Sequence, residues 1–209
     1  MFGSTKPPQS EQTYFSPKSP YGAAKLYGHW ITKIYRESYK IFACSGILFN
    51  HESPLRGETF VTKKVIISAV KYHKNKKEIL QIGNLDALRD WGHARDYVEN
   101  MWMMLQRKKP EDYVIATNKS YTVRQFIYQT YKELGVKIKW TGKGINEKGI
   151  DSNTGKIIIK VNPKYFRPNE VDNLRGNPNK AKKELKWKPK TNLKDLIKEM
   201  IDYELKLQS

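Results

Sequence analysis

Residues 19–49 read SPYGAAKLYGHWITKIYRESYKIFACSGILF, and this stretch predicts a helix that leads into a buried strand. Proline is tolerated in the first turn of a helix, so Ser19-Pro20 can open an amphipathic helix that extends to about residue 39. The run at residues 41–49 is apolar and bounded by polar residues, as expected for a strand that is buried on both faces. Strands of that kind are typical of the interior of a parallel sheet.

The rest of the chain continues this alternation of helices and strands. Further helices are predicted at about residues 60–74, 93–106, 178–185 and 193–206, and strands at 78–82, 113–116, 136–140 and 157–161. The clearest helix begins at Thr122, where Thr122-x-x-Gln125 forms a capping box, and Gly135 is placed to end it. Residues 1–18, residues 50–59 and a polar, glycine-rich segment at 141–156 are predicted loops. The fold class is therefore predicted to be α/β.

One element of a dinucleotide-binding fold is not found in the sequence. Such folds begin with a strand, a Gly-x-Gly-x-x-Gly turn and a helix, and no turn of this pattern occurs here. If the protein uses a dinucleotide, most of the cofactor's site is expected to lie outside this chain. The sheet neighbours of the strand at 41–49 are expected to lie there too, and an exposed sheet edge favours association.

Composition narrows the class of protein. The 209 residues carry 39 basic and 21 acidic side chains, a net charge of +18, but the lysines are scattered and no base-stacking motif accompanies them. This pattern favours a solvated surface over a nucleic-acid interface. The four histidines lack metal-ligand spacing, and the single cysteine, Cys44, fits a reducing compartment. With no signal peptide and no apolar stretch that could span a bilayer, the sequence predicts a cytoplasmic protein without a membrane partner.

Tyr21 and Lys25 stand four residues apart at the start of the first predicted helix and so share a face. An ammonium group beside a phenol favours the tyrosinate, which makes Tyr21 a candidate acid/base for a sugar hydroxyl. The spacing alone is weak evidence, because this chain shows it four times. What distinguishes this pair is the run of three small residues between them, which lets a flat ligand approach the helix.

Several long motifs carry a family resemblance. They are SPYGAAK at residues 19–25, GILFNHESP at 46–54, GNLDALRDWGH at 83–93, YFRPNEVD at 165–172 and LKWKP at 185–189. The first is similar to the extended short-chain dehydrogenases/reductases that act on nucleotide sugars. Together the motifs resemble the GDP-mannose 4,6-dehydratase family, over essentially the whole chain but only the C-terminal portion of a family member.

The resemblance implies a fold and a domain organisation. The expected fold is a partial NAD(P)-binding Rossmann-type fold that lacks its N-terminal βαβ units, plus a smaller C-terminal α/β subdomain that binds the substrate. Residues 1–60 would be the remnant of the dinucleotide-binding domain with the Tyr-x-x-x-Lys helix. Residues 61–209 would mainly bind the GDP-sugar, with segments at about 78–116 returning to the Rossmann core.

The resemblance also implies an activity, the NADP-dependent conversion of GDP-mannose to GDP-4-keto-6-deoxymannose with loss of water, which leads toward GDP-fucose. Tyr21 would take the proton of the C4 hydroxyl, and Lys25 would tune Tyr21 and hold the nicotinamide ribose. His51 and Arg56 match cofactor-contacting positions. The positions that match GDP-mannose contacts are Asn50, Lys64, Gly83, Arg89, Arg167 and Glu170.

Each of these residues also has an ordinary structural interpretation. Arg89 could pair with Asp86 or Asp90, and Glu170 could pair with Arg167. His51 could be a loop histidine, and Asn50 a turn former. The chemistry of the two arginines nevertheless suits pyrophosphate oxygens, and a glutamate can accept hydrogen bonds from ribose hydroxyls.

The sequence departs from the family's pattern at informative positions. The catalytic threonine and glutamate of the family would lie immediately upstream of Met1, so the elimination step has no obvious base among these residues. Glu11 and Glu52 are near in sequence, but nothing in the sequence shows that either could substitute. Leu55 stands where the family has the first of two arginines in a loop that reaches a neighbouring subunit, and Lys63 replaces another arginine.

Three interpretations of function stay open. The chain could be one piece of a dehydratase that needs a homo-oligomeric partner or a complementary N-terminal chain, and would then be inactive by itself. It could instead be a non-catalytic subunit that binds GDP-mannose or regulates, or an inactive remnant.

Overall fold

The computed structural model describes residues 1–166 and 171–208, and its helices and strands alternate along the chain. The helices are α1 Pro20–Tyr39, α2 Val61–Asn75, α3 Ala94–Leu105, α4 Val123–Glu133, α5 Asn179–Glu184 and α6 Leu193–Leu207. The strands are β1 Gly46–Leu48, β2 Asn50–Glu52, β3 Leu80–Ile82, β4 Leu88–Arg89, β5 Trp91–His93, β6 Tyr113–Ile115, β7 Tyr121–Thr122, β8 Ile138–Thr141, β9 Lys148–Asp151 and β10 Ile157–Val161. None of the helices in these ranges is long and apolar enough to cross a membrane.

The described chain divides into two compact units. The first unit contains residues 1–51, 88–120 and 171–192, and the second contains 52–87, 121–166 and 193–208. Each unit therefore draws on three separate segments of the chain. The predicted division into residues 1–60 and 61–209 assigns roles rather than contacts, and it stays a prediction.

The first unit is built around the parallel pair β1 and β6, in which Gly46 lies opposite Tyr113. Helices α3 and α5 pack on β6, and Trp187 donates a hydrogen bond of 2.9 Å from Nε1 to the carbonyl of Asp96. Two buried clusters fill the unit: Tyr97, Met104, Tyr113, Ile115, Ala181, Leu185 and Trp187 in one, and Phe2, Ile47, Phe49, Val114 and Ala116 in the other. Two aromatic-rich clusters against one short parallel pair give this unit its core.

The prediction of one buried strand over residues 41–49 is wrong in its first half. Helix α1 ends at Tyr39, where Lys40 takes a left-handed conformation with φ 56°, and Ile41 and Phe42 are 48% and 42% exposed. The Asp112 carboxylate accepts a hydrogen bond of 2.8 Å from the backbone N–H of Ser45. Residues 41–45 are therefore a connection, and the strand begins only at Gly46.

Helix α1 presents many apolar side chains to solvent. Its exposed large hydrophobic residues are Tyr21, Tyr27, Trp30, Ile34, Tyr35 and Tyr39, whereas Gly22 is its buried residue. Exposed apolar surface on a soluble protein often marks a site of interaction. We refer to these six residues as the α1 apolar face.

The second unit contains a four-stranded sheet with three helices. The strand order is β3-β10-β9-β8, with β10 parallel to β3 and antiparallel to β9. Helices α2, α4 and α6 pack against one another through buried side chains that include Val65, Ile66, Phe126, Ile127, Leu196 and Met200. Ligands of open α/β sheets bind at the carboxyl ends of the strands, so this end of β3 and β10 is a candidate place for a ligand.

The capping box predicted for α4 is confirmed. Thr122 Oγ1 accepts from the N–H of Gln125 at 3.0 Å, and the Gln125 side chain accepts from the N–H of Thr122 at 2.8 Å. Gly135 follows the helix with φ +75°, a conformation that favours glycine. Strand β9, by contrast, lies in a segment that was predicted to be loop. Its glycine leaves room for a close neighbour, since a Cβ on Gly149 would lie 2.7 Å from Ile159 Cδ1.

Candidate functional site

The predicted pair Tyr21 and Lys25 lies together on the first turns of α1. Ser19 caps the helix by accepting a hydrogen bond of 3.0 Å from the N–H of Gly22, which fixes the position of the first turn. Lys25 Nζ lies 5.5 Å from the centroid of the Tyr21 ring, and Tyr21 is 72% exposed. The structure thus presents a phenol beside an ammonium group on an accessible surface. Its catalytic role stays a prediction.

Asn50 and His51 belong to strand β2 rather than to a loop, so the turn-former and loop-histidine alternatives are wrong. His51 Nδ1 lies 3.2 Å from the carbonyl oxygen of Phe49. A carbonyl can only accept, so Nδ1 carries the proton and Nε2 is left as the acceptor. The ring packs 5.8 Å from the ring of Tyr97, which fixes its orientation.

Arg89 is held by backbone carbonyls. Its Nη1 donates to the carbonyl of Leu88 at 2.8 Å and to that of Val171 at 2.7 Å. The neighbouring Asp90 is fully buried and accepts hydrogen bonds from Thr117 N (2.9 Å) and Oγ1 (2.6 Å), from Asn118 N (3.0 Å) and from Gly176 N (3.1 Å). Burial raises the pKa of Asp90 although these donors act in the opposite direction. Asp90 therefore ties together three segments of the first unit next to Arg89.

Lys64 and Gly83 are brought together in the second unit through a third residue, Tyr165. Lys64 Nζ lies 3.6 Å from the centroid of the Tyr165 ring. A Cβ on Gly83 would lie only 2.4 Å from the carbonyl oxygen of Tyr165, so no larger residue fits there without displacement. Gly83 directly follows β3, and Tyr165 follows β10 by a short 3-10 turn. These residues thus cluster at the carboxyl ends of the two parallel strands.

Arg56 is positioned by a buried carboxylate. Its Nε lies 3.2 Å from Glu52 Oε2, and its guanidinium carbon lies 3.6 Å from the centroid of the Phe60 ring. Glu52 is 2% exposed and accepts a hydrogen bond of 2.6 Å from Thr62 Oγ1. Burial raises the pKa of Glu52 to about 6, against the opposing effects of Thr62 and Arg56. Glu52 thus contacts one edge of the Arg56 guanidinium and Phe60 contacts one of its faces, and together they orient it.

Two predicted substrate contacts, Arg167 and Glu170, lie outside the described residues. The two candidate substitutes for the family's catalytic glutamate are both engaged in structure. Glu11 Oε1 accepts a hydrogen bond of 2.8 Å from the N–H of Val114 in β6, and Glu52 is buried against Thr62. Glu52 is therefore buried away from a substrate, whereas Glu11 is only partly buried and has one oxygen engaged by β6. Within residues 1–166 and 171–208, no cluster of histidine, cysteine and acidic side chains could hold a metal ion.

Sequence reasoning gave Tyr165 no role, and it considered Glu52 only as a base and missed its contact with Arg56. The signal for Tyr165 was an aromatic pair, Tyr165-Phe166, in a polar segment, since such side chains are conspicuous when exposed. The signal for Glu52 was its spacing of four residues from Arg56. Neither signal is specific, because both depend on partners that are remote in sequence.

Comparison with known proteins decides the family. The sequence profile of the GDP-mannose 4,6 dehydratase family matches residues 1–200. This chain belongs to the GDP-mannose 4,6-dehydratase family. The resemblance that the motifs carried is thereby confirmed.

Individual relatives and structures agree with this membership. The chain is 52% identical over 200 residues to the GDP-mannose 4,6 dehydratase of Drosophila melanogaster, covering 96% of this chain and 51% of that relative. It is 55% identical over 194 residues to the enzyme of the same name from Dictyostelium discoideum, covering 93% and 54%. This member of the GDP-mannose 4,6-dehydratase family thus spans about half the length of the curated relatives it matches.

A solved structure confirms the predicted α/β fold. RMD from Pseudomonas aeruginosa, in a structure complexed with NADPH, superimposes with a TM-score of 0.81 at 16% identity, covering 98% of this chain and 63% of that one. At this identity the likeness concerns the fold alone. The family and the fold are therefore known from independent comparisons, one of sequence and one of structure.

Proposed function

We propose that this chain is the substrate-binding, C-terminal portion of a GDP-mannose 4,6-dehydratase that converts GDP-mannose to GDP-4-keto-6-deoxymannose. The observation that carries the proposal is the exposed Tyr21–Lys25 pair in a chain that the family profile matches over residues 1–200. A fold alone could not support this choice, because related folds host several chemistries. The pair supplies the chemistry that the reaction needs first.

In the proposed mechanism Tyr21 accepts the proton of the C4 hydroxyl of the sugar. Lys25 stabilises the phenolate that prepares this transfer, because an opposite charge nearby favours the charged form. Lys25, His51 and Arg56 would hold an NADP cofactor, which would supply the hydride acceptor for C4 and the hydride donor for C6. Exposure of Tyr21 fits this role, since a general base must be within hydrogen-bonding distance of its substrate.

Two side chains fit a phosphorylated dinucleotide. Arg56 has one edge against Glu52 and one face on Phe60, so its terminal amino groups remain the edge for another anion. A planar guanidinium held in this way suits phosphate oxygens. His51 offers Nε2 as an acceptor, because its Nδ1 donates to Phe49. We assign both to the cofactor, as the family resemblance implies.

We assign the recognition of GDP-mannose to Asn50, Lys64, Gly83, Arg89, Arg167 and Glu170. In the described part of the chain, the support for this set is the clustering of Lys64 and Gly83 at the carboxyl ends of β3 and β10. The fixed guanidinium of Arg89 supports it as well, because an oriented arginine binds pyrophosphate without first losing freedom.

We further propose that the chain works in the cytoplasm with a complementary N-terminal portion, in a homo-oligomer or as a separate chain. The α1 apolar face supports such a partner, since exposed apolar surface of this extent marks an interaction site. In isolation the chain is expected to bind GDP-mannose without turnover. A non-catalytic binding or regulatory subunit, or an inactive remnant, would lack turnover even with the partner.

The first experiment measures binding by residues 1–209 alone. The chain is checked for a dispersed NMR spectrum and then titrated by calorimetry with GDP-mannose and, separately, with NADPH. We expect saturable binding of GDP-mannose that Arg167→Ala abolishes and that Arg107→Ala, an exposed arginine, leaves intact. A folded chain that does not bind GDP-mannose would contradict the proposed substrate.

The second experiment measures turnover in complementation. The chain is co-expressed with the part of the Drosophila relative that it does not match, and formation of the 4-keto sugar from GDP-mannose is followed with added NADP. Tyr21→Phe should abolish the product. Tyr14→Phe should not, although Tyr14 is equally exposed and also stands four residues before a lysine. Binding without any complemented turnover would favour the non-catalytic subunit.

A further inference from the structure

We propose that the base of the nucleotide stacks on the ring of Tyr165, which serves as its platform. When the ligand binds, the Lys64 ammonium group leaves the Tyr165 ring and contacts the phosphates of the nucleotide instead. This inference rests on the proposed function, because it names how the second unit would hold a purine nucleoside diphosphate. It adds a residue to the site and gives Gly83 a role in addition to the one predicted.

The first step of the argument is that Tyr165 is both accessible and fixed. The ring is 50% exposed, which is high for a tyrosine that follows a strand end. Its backbone is held by a 3-10 turn in which the N–H of Tyr165 donates to the carbonyl of Asn162 at 3.0 Å. Asn162 in turn donates from its N–H to the carbonyl of Ile82, the last residue of β3, at 2.8 Å. The platform is therefore anchored to both parallel strands.

The second step concerns Gly83. The predicted role of this residue was a direct contact with the substrate. The structure shows that a Cβ on Gly83 would lie 2.4 Å from the carbonyl oxygen of Tyr165 and 3.2 Å from its Cβ. The absence of a side chain at this position is what allows Tyr165 to approach the end of β3. Gly83 therefore also acts as a positioning residue through Tyr165, in addition to the contact with GDP-mannose that is proposed for it.

The third step concerns Lys64, which occupies one face of the ring with its Nζ 3.6 Å from the centroid. At an exposed site, a cation–π contact corresponds to about a 2- to 5-fold gain in affinity. Base stacking on an aromatic side chain corresponds to about 5- to 150-fold. A base can therefore displace the ammonium group, which then gains a charge-assisted contact to the phosphates. The pair of residues thus matches a ligand that is flat at one end and anionic next to it.

The test separates stacking from charge by the choice of ligands. Residues 1–209 are titrated by calorimetry with GDP-mannose, GDP and inorganic pyrophosphate, for the wild type, Tyr165→Leu, Tyr165→Phe and Lys64→Met. Tyr128→Leu is the matched control, because Tyr128 lies in the same unit and is 45% exposed. The NMR spectrum of each variant verifies that it is folded.

We expect Tyr165→Leu to weaken GDP about 5- to 150-fold and pyrophosphate not at all, because pyrophosphate has no base. Tyr165→Phe should bind GDP like the wild type, and Lys64→Met should weaken both ligands. Gly83→Ala should behave like Tyr165→Leu in binding, which provides a second variant should the leucine fail to fold.

Two results would overturn the inference while the proposed function stands. The first is GDP-mannose and GDP binding by folded Tyr165→Leu that equals the wild type. The second is an equal loss of GDP and pyrophosphate in that variant, which would mean that the ring only supports Lys64. A folded wild type that binds no GDP-mannose would overturn the inference together with the proposed substrate.

Discussion

The wild-type chain is expected to lose stability as the pH rises and Glu52 ionises. Replacing Glu52 with glutamine should remove this loss. Glu52 is almost fully buried, with Thr62 donating to its carboxylate at 2.6 Å and Arg56 Nε at 3.2 Å. Burial nevertheless raises its pKa from the ordinary value of 4.5 to about 6, against the opposing effects of these two partners. The folded chain therefore holds the Glu52 proton more tightly than the unfolded chain does.

The sign and size of the effect follow from this difference. A carboxyl group whose pKa is raised on folding contributes stability that is fully present below pH 4.5 and is lost as the pH rises through 6. The interval from 4.5 to about 6 is roughly 1.5 pH units, and each unit corresponds to about 1.4 kcal/mol. The ionised carboxylate thus costs about 2 kcal/mol at pH 7 relative to its protonated form. Glutamine does not ionise and should escape this cost.

The assay compares urea unfolding of the wild type and Glu52→Gln between pH 4.5 and 8, with Glu58→Gln as an exposed control in the loop that follows β2. The free energy of unfolding of Glu52→Gln, minus that of the wild type, should grow by about 1.6 kcal/mol between pH 4.5 and 7. The control difference should stay flat. A ¹³C titration of the Glu52 carboxyl provides its pKa directly. A difference that is independent of pH, or that shrinks as the pH rises, would refute the reasoning.

Three further substitutions test the ion pairs and helix packing within each unit. Lys63→Met should lower the free energy of unfolding by about 3–5 kcal/mol, because Lys63 Nζ lies 2.7 Å from Glu204 and both side chains are buried. In urea unfolding, the double variant with Glu204→Leu should recover most of this loss, and purely additive losses in the double variant would contradict the pairing. Gly28→Ala should stabilise the chain by about 0.5–1 kcal/mol, because an added Cβ in mid-helix would meet nothing within 4 Å; a lowered melting temperature would count against this. Asp112→Asn should destabilise by about 1–3 kcal/mol at pH 7, since Arg36 donates to both of its oxygens at 2.7 and 2.9 Å. Although burial acts to raise the pKa of Asp112, bonds from Arg36 and Ser45 hold it below its ordinary value of 3.8, so this difference should vanish as the pH falls below that value.

The elements that could be predicted from the sequence are those that local interactions determine. Helix α4 is the clearest case, because its first turn is capped by Thr122 and Gln125 and its end is marked by Gly135. All of these signals lie within fourteen residues, from Thr122 to Gly135. Its apolar spacing adds a buried face that needs no knowledge of the partner. Such a helix can be delimited from sequence alone.

The strand at 41–49 failed for the opposite reason. An apolar run does not reveal where the preceding helix stops or where a distant acidic side chain will bind. Here Lys40 ends α1 in a left-handed conformation, and Asp112 takes the N–H of Ser45. Residues 41–45 connect the helix to the strand through these contacts and are not part of the strand. Ile41 and Phe42 are therefore exposed, although they are as apolar as the residues of the strand.

The candidate site shows the same division between local and remote signals. The Tyr21–Lys25 pair could be predicted, because the helix spacing alone places both side chains on one face. Tyr165 could not be assigned a role, because its partners Lys64 and Gly83 come from helix α2 and from the end of β3. Gly83 was named because of the family resemblance. The sequence does not show that a side chain at this position would collide with the backbone of Tyr165.

Binding and turnover should separate in this chain, because the two depend on different parts of it. Lys64, Gly83 and Tyr165 are positioned by contacts and hydrogen bonds that lie wholly within the second unit. Tyr21 belongs to α1, whose apolar face is exposed and is the surface on which we propose that a partner binds. Because the proposed nucleotide platform is already fixed, little freedom is lost there on binding. The proposed catalytic tyrosine lies on an exposed helix, and on this proposal the groups that orient a substrate against it come from the partner. Nucleotide affinity is therefore the property to measure on residues 1–209, and product formation is the property to measure after complementation.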